Sequence, residues 1–547
     1  MAFDKSTRNR LQIFVNDARK LLSEEFTQQL QNTYGLDPFT GGIAELSALP
    51  AMSPSEQRTA SLLRDTLGHY LAASHKADPY KDKKLVIAVL DRIVREQAFT
   101  VLNRLAALRM AEARNFVLES ISQGYQSKGF QLYQRIAGNS LGEIGQAYQH
   151  YLFSVFDELS LDLAVLFDRY SSQGRLFPRE TVLLDLLDSI NHWELELLWV
   201  EDETVGWIYQ YWNVRSEIDS ARGESRAPRN SREMAVRNQF FTPRYVVEFL
   251  VDNTVGKTWY EMHQGQTSIT EKCDYLVIDE KAVFLSEGES LTQEQAASDV
   301  QYIPHRVAKD PRCLRTIDPA CGSGHFLLYV FDLLISIYEE AWKKEPEGGW
   351  PVRENFKSLQ KTYSNFDDFK KNIPALIITH NLYGIDIDPR AIQIAGLAVW
   401  LRGQRYWQEA GVTPVERPTI TRSNLICAEP LIIEPEQLSA YKSKLPIGQS
   451  NLLAELLNII ADKMALAGEM GILLKLEKDI RRALEQVKQE FKRYQESEIQ
   501  DDLFGREHVD QQLNLSFSVQ GLNSAFFAGA EKKLMNALTG LVNSSNE

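Results

Sequence analysis

The sequence predicts an α/β protein in three parts: a helical N-terminal domain, a parallel sheet with crossover helices, and a helical C-terminal segment. Three observations predict it. Apolar residues recur at helical spacing through most of the first 220 residues. Strand-like runs then alternate with helical runs between residues 316 and 421. The first of those strands ends in Thr316-Ile-Asp-Pro-Ala-Cys-Gly-Ser-Gly-His-Phe326, whose turn is built of small residues.

The elements follow in order. Leu11, Phe14, Val15, Ala18, Leu21 and Leu22 mark an amphipathic first helix, closed by a Pro/Gly-rich break from Gly35 to Pro54. Residues 85 to 220 read as nearly continuous helix, for example at Val86, Val89, Leu90, Ile93 and Val94. Trp193, Trp199, Trp207 and Trp212 end this region as a core stripe. Residues 1–220 therefore form the helical domain, and 221–240, with Gly223 and Pro228, form a linker. The core spans 241–435. Its first helix, Arg244 to Val255, is expected to start on a Thr242 N-cap with Pro243 in the first turn. An insertion at about 262–312 holds two strand-like runs, Tyr275–Ile278 and Ala282–Leu285. A charged insertion fills about 344–375. Strand Leu382–Ile385 leads to a helix from Pro389 to Glu409, and strand Thr419–Thr421 leads to Ser423-Asn424. Residues 436–547 read as helical, with a seam at Leu473, Leu476, Ile480, Leu484 and Val487 that suits a packed hairpin or a partner helix.

Composition narrows the function classes. At 547 residues the chain can hold two or three domains with full cores. No apolar run approaches the roughly 18–20 residues that span a bilayer, and the N-terminus lacks a signal-peptide layout. Cys273, Cys313, Cys321 and Cys427 have neither metal-ligand nor disulfide spacing, which fits a reducing cytoplasm. The net charge of −14 argues that strong DNA affinity does not rest on this chain's overall charge. One island departs from it: Arg222, Arg226, Arg229, Arg232, Arg237 and Arg244 face only Glu224 and Glu233. It reads either as a solvated linker or as a phosphate-contacting loop, with Arg226, Arg229, Arg232 and Arg237 as the contacts. Asp279-Glu280-Lys281 lacks a second acidic partner, which argues against a nuclease. Phe326 and Leu327 stand where a dinucleotide fingerprint needs its third glycine, which argues against a dehydrogenase.

The turn at 318–324 is the chemistry-bearing feature. Gly322 and Gly324 can take positive φ, and nothing bulky stands between Pro319 and His325, so a ligand can reach the backbone. Free N–H groups at the helix start can face it. Asp386 ends the next strand, where a carboxylate can accept from a ribose diol, whereas Asp388 before Pro389 reads as an N-cap. Asp318 can pair with an ammonium or cap its own turn. Because ligands lie at the carboxyl ends of parallel strands, the loop, Asp386 and Ser423-Asn424 are expected to converge.

This string resembles the S-adenosylmethionine (SAM) loop of amino-type DNA methyltransferases. The likeness is to the large adenine-N6 enzymes of restriction–modification and phage defence, especially the long BREX- and DISARM-like methylases. Gln239-Phe-Phe-Thr-Pro-Arg-Tyr245 resembles their upstream motif, and Tyr383-Gly-Ile-Asp-Ile-Asp-Pro389 their second strand. Ser423-Asn424-Leu425 falls where they read the adenine. The resemblance covers about residues 90–547 and implies a Rossmann-like SAM-dependent methyltransferase domain with an incomplete sheet. It implies SAM contacts at Phe241, Thr242, Pro243, Asp318, Pro319, Ala320, Cys321, Gly322, Ser323, Gly324, Phe326, Asp386, Ile387, Ser423 and Asn424. Phe326 and Ile387 would wall the adenine or serve the core, and either Ser423 or Asn424 would accept from its amine. The substrate it implies is double-stranded DNA.

The family's catalytic Asn/Asp/Ser-Pro-Pro-Tyr/Phe tetrapeptide occurs nowhere in the chain. Asp78-Pro79-Tyr80 lacks the second proline and precedes the loop, so it does not qualify. Phe526-Phe527-Ala-Gly-Ala-Glu-Lys-Lys-Leu-Met535 resembles the last helix of an insertion that precedes that motif in long relatives. The expectation is thus the N-terminal, SAM-binding part of a larger enzyme. A complementing chain or further defence-system subunits would be its partners; the alternative is an inactive scaffold in a defence complex.

Overall fold

The structure, a computed structural model, describes residues 5–72, 78–138, 142–201, 204–212, 242–292, 295, 300–351, 356–420 and 423–428. The linker at 221–240 with its arginines, Phe241 and the segment 436–547 lie outside the described residues. The chain divides into two compact units. The first comprises 1–67, 86–219 and 235–428; the second comprises 68–85, 220–234 and 429–547. In the second unit the described residues include a single short turn at Pro79–Lys81, which carries Tyr80.

The helical part consists of α1 (Lys5–Asn32), α2 (Pro54–Ala72), α3 (Lys83–Ala113), α4 (Lys128–Ala137), α5 (Ile144–Phe167), α6 (Glu180–Ile190) and α7 (Thr204–Trp212). Strands β1 (Leu36–Asp37) and β2 (Gly42–Ile43) form a small antiparallel pair in the break after α1. Leu11, Phe14, Val15, Ala18 and Leu22 are all buried, as their helical spacing requires, and α1 packs against α6 and α7. Trp199 and Trp212 join the core, whereas Trp193 is exposed. The guanidinium of Arg104 on α3 is buried and donates to the carbonyls of Leu166, Asp168 and Gly174, so one side chain closes the loop after α5.

After residue 242 the chain runs through α8 (Arg244–Val251), a π-helical turn at Asp252–Gly256, and α9 (Lys257–Met262). The expected single helix is therefore interrupted. Its N-cap is Pro243 and not Thr242, because the first helical residue is Arg244. The turn's side chains also undo the first of the two strand-like runs, Tyr275–Ile278. Asp252 accepts from the Tyr275 amide, and Asn253 bonds both the Tyr275 carbonyl and the Val277 amide. With those backbone groups taken, 275–278 forms no strand. Instead β3 (Val283–Phe284) pairs in parallel with β4 (Tyr302–Ile303).

The main sheet holds β5 (Thr316–Asp318), β6 (Leu382–Asp386) and β7 (Asn424–Cys427), all parallel and in that order. Between β5 and β6 lie α10 (His325–Lys343), α11 (Leu359–Thr362) and α12 (Phe366–Leu376), then a second π-helical turn at Ile377–Asn381. Helix α13 (Pro389–Glu409) joins β6 to β7. Both crossover helices lie on one face. A Cβ on Gly384 of β6 would meet Leu327 of α10, and one on Gly396 of α13 would meet Leu425 of β7. Buried Asn381 ties the entry of the sheet, donating to the carbonyls of Pro311 and Leu314 and accepting from Tyr338.

Two results change the expected layout. The third strand is Asn424–Cys427, not Thr419–Thr421. Helix α13 also packs on α5 and α7, so helical and sheet-forming parts share one compact unit. Among the described residues no helix is long and apolar enough to cross a membrane, and no cluster of metal-ligating side chains occurs.

Candidate functional site

The site is built where β5 gives way to α10. Beyond Asp318 the chain stays tied to β6, because the Cys321 amide donates to the Ile385 carbonyl at 3.0 Å. The turn then closes with the Gly324 amide donating to the Cys321 carbonyl at 2.8 Å. Gly322 and Gly324 have φ of +52° and +87°, a region that disfavours any side chain. Their surroundings differ. A Cβ on Gly324 would press against Ala395 of α13 at 3.2 Å, so this glycine serves close helix packing. A Cβ on Gly322 would meet nothing within 4 Å among the described residues, so this glycine borders open space.

Asp386 holds the turn from the neighbouring strand. Its Oδ2 accepts from the Gly322 amide at 2.9 Å, and its Oδ1 accepts from the Asp388 amide at 2.9 Å. Each oxygen retains a lone pair for a ligand donor. Burial pushes the Asp386 carboxyl above the usual carboxylate range, and the charge on Asp388 adds to that. Asp318 is raised too, by burial and then by Asp386. Its Oδ1 accepts the Ala320 amide at 3.2 Å, the expected turn cap, while its buried Oδ2 has no partner among the described residues. A buried acceptor without a donor is costly, so it asks for a ligand or water.

Asp388 is the N-cap that the sequence predicted: it accepts from the Arg390 amide at 3.0 Å. The Arg390 guanidinium grips both its oxygens, at 3.0 and 2.8 Å, and the Tyr209 hydroxyl donates to it at 3.0 Å. Burial opposes the charge on Asp388, but Arg390 outweighs it and holds the carboxyl below the usual range. Asp388 is thus neutralised within the protein, whereas Asp386 and Asp318 have no ion-pair partner among the described residues. The open turn faces uncompensated negative charge.

Thr242 and Pro243 lie just before α8, and Phe326 and Ile387 are half-buried where the loop and β6 run into their helices. Ser423 and Asn424 do not join them. Asn424 pairs with Tyr383, and Cys427 pairs with Asp386, so Ser423-Asn424 sits at the amino end of the sheet, opposite the glycine turn. The reason is local chemistry. The π-helical turn before β6 leaves carbonyls to satisfy, and buried Asn424 donates its amide to those of Ile378, Thr379 and Leu382. Ser423 accepts the Leu425 amide at 3.3 Å. Sequence reasoning missed Gly206, whose nearest neighbour across from α7 is the Ser323 hydroxyl, and Tyr209, the partner of Asp388. A glycine inside the apolar helical run Thr204–Trp212 was the available signal.

A parallel sheet with a glycine turn after one strand and a carboxylate ending the next has the layout in which α/β proteins hold ligands, at the carboxyl ends of the strands. Residues 293–427, which contain both features, match the family model described as the MmeI DNA-methyltransferase domain. The chain is also homologous to the adenine-specific methyltransferase BrxX of Escherichia coli O9:H4 (strain HS), with 25% identity over 336 residues. That match takes in 56% of this chain and 24% of BrxX. The adenine-specific methyltransferase PglX of Lacticaseibacillus casei (strain Zhang) is 23% identical over 431 residues, 72% of this chain and 31% of PglX. The chain therefore matches less than a third of the length of either relative.

Proposed function

We propose that this chain supplies the SAM-binding portion of a DNA adenine-N6 methyltransferase in a restriction–modification or phage-defence system. A complementing part carries the catalytic tetrapeptide. The observation that carries the reading is the open turn at Gly322 set against two uncompensated carboxylates. SAM fits that set. Its ribose hydroxyls suit the spare lone pairs of Asp386, its ammonium suits the unpartnered oxygen of Asp318, and its sulfonium suits the negative surroundings. When bound, it supplies a transferable methyl group. The chain's own residues position it: Gly322 admits it to the backbone, Thr242 and Pro243 close the methionine side, and Phe326 and Ile387 flank the ring. Double-stranded DNA is the proposed substrate, with Arg226, Arg229, Arg232 and Arg237 contacting phosphates and the target adenine drawn out of the stack.

Two observations support the complementing part. The tetrapeptide is absent from the sequence. On the sheet face away from α10 and α13, Ile317 and Ile426 are 59% and 58% exposed. Both crossover helices lie on the other face, so among the described residues neither covers this one, and a further layer from a complementing part fits the reading. The test is SAM calorimetry on the purified chain, followed by mixing with a polypeptide that bears the tetrapeptide. SAM binding by the chain and DNA adenine methylation only by the mixture are expected. No SAM binding by the well-folded chain would remove the reading. The absent tetrapeptide also favours a second reading, a scaffold subunit; stable assembly with partners that all lack the tetrapeptide would select it.

A further inference from the structure

We propose that Gly206 of α7 is a specificity-determining residue of the same site, which makes the helical region one wall of the cofactor slot; this rests on the SAM reading above. Gly206 stands in the first turn of α7 and its φ is not positive, so the backbone itself does not call for glycine there. Packing does not call for it either. Among the described residues, a Cβ at 206 would meet only the Ser323 hydroxyl, at 4.0 Å, an ordinary contact distance. The lack of a side chain instead leaves Ser323, in the middle of the glycine turn, uncovered from the α7 side. Residue 209 is three positions on and shares that helix face. Its hydroxyl donates to Asp388 at 3.0 Å, and the Asp388 amide donates to Asp386 at 2.9 Å. Tyr209 therefore fixes α7 against the strand end that carries the ribose candidate, and Gly206 then faces the turn. Buried Tyr209 and half-buried Gly206 together place a rigid wall beside Gly322, the glycine that itself borders open space.

A large side chain at 206 fills the slot, whereas a methyl group fits within it. The experiment is SAM calorimetry on the full chain with Gly206→Ala, Gly206→Leu and Gly206→Gln, beside melting curves without ligand. Gly206→Ala is expected to bind within about twofold of wild type and to melt higher, as alanine favours helix. Gly206→Leu is expected to lose at least about tenfold in affinity at an unchanged melting temperature. Should leucine unfold the chain, Gly206→Gln fills the same space with a polar chain and gives the same reading. Wild-type affinity in a folded Leu or Gln variant would overturn the wall while leaving the SAM site standing. Absence of binding by the wild-type chain would overturn both.

Discussion

The two ends of the β5–β6–β7 sheet carry polar side chains under opposite conditions. At the carboxyl end, Asp318 and Asp386 are partly buried, raised in pKa and left with unused acceptor capacity. At the amino end, Asn424 is more enclosed still, but its amide is consumed by two carbonyls of the π-helical turn and that of Leu382. Burial alone thus does not mark a site. The mark is burial with bonding capacity unspent, because a native structure leaves such a group only where something else will meet it. Asp388 makes the same point two residues from Asp386: it is more buried, yet Arg390 and Tyr209 satisfy it, and its role is to hold a helix.

The sharpest test of this contrast is Asp386→Ala. It removes the ribose acceptor and frees the amides of Gly322 and Asp388, so SAM affinity should fall ten- to a hundredfold, about 1.4–2.7 kcal/mol. Unchanged affinity in calorimetry would take Asp386 out of the site. Asn424→Ala should do the reverse, with a stability loss of about 1–2 kcal/mol in urea unfolding and SAM affinity within about twofold. A large affinity loss in a folded Asn424 variant would restore the adenine role. The third test is acidity. Folded-state values above the ordinary carboxylate range mean that Asp318 and Asp386 take up protons before exposed carboxylates do. SAM affinity should therefore weaken as pH falls from neutrality into the carboxylate range, ahead of the titration of exposed carboxylates. For the same reason the unliganded fold gains stability from these two groups as pH falls through that window, opposite in sign to the contribution of Asp388. A flat affinity profile would mean that neither carboxylate meets the ligand. The smallest effect is expected at Ser423→Ala, within about 0.5 kcal/mol in stability and without change in SAM binding.

The pattern of what was legible in the sequence follows from range. The glycine turn, the α10 and α13 helices and the Asp388 cap are set by neighbours a few residues away, and each stands where its local signal placed it. The third strand and the run at 275–278 are settled by distant partners. Asn424 is drawn into register by carbonyls near residue 380, and 275–278 is claimed by side chains at 252 and 253. Such competition cannot be read from local periodicity. The role of α7 was half-hidden likewise, since the glycine in Thr204–Trp212 is a signal that does not name residues 323 and 388 as its neighbours.

The sulfur in the middle of the loop has a chemical consequence. Cys321 is 5% exposed, and burial, with Asp386 and Asp318 nearby, pushes its thiol up to about 12. At neutral pH about one such thiol in a hundred thousand is ionised, against a few per cent for an ordinary cysteine. Alkylating probes and peroxide act on the thiolate, so they will pass this residue over. Half-exposed Cys313 precedes β5 at the amino end of the sheet, so a fluorophore there would stay clear of the loop.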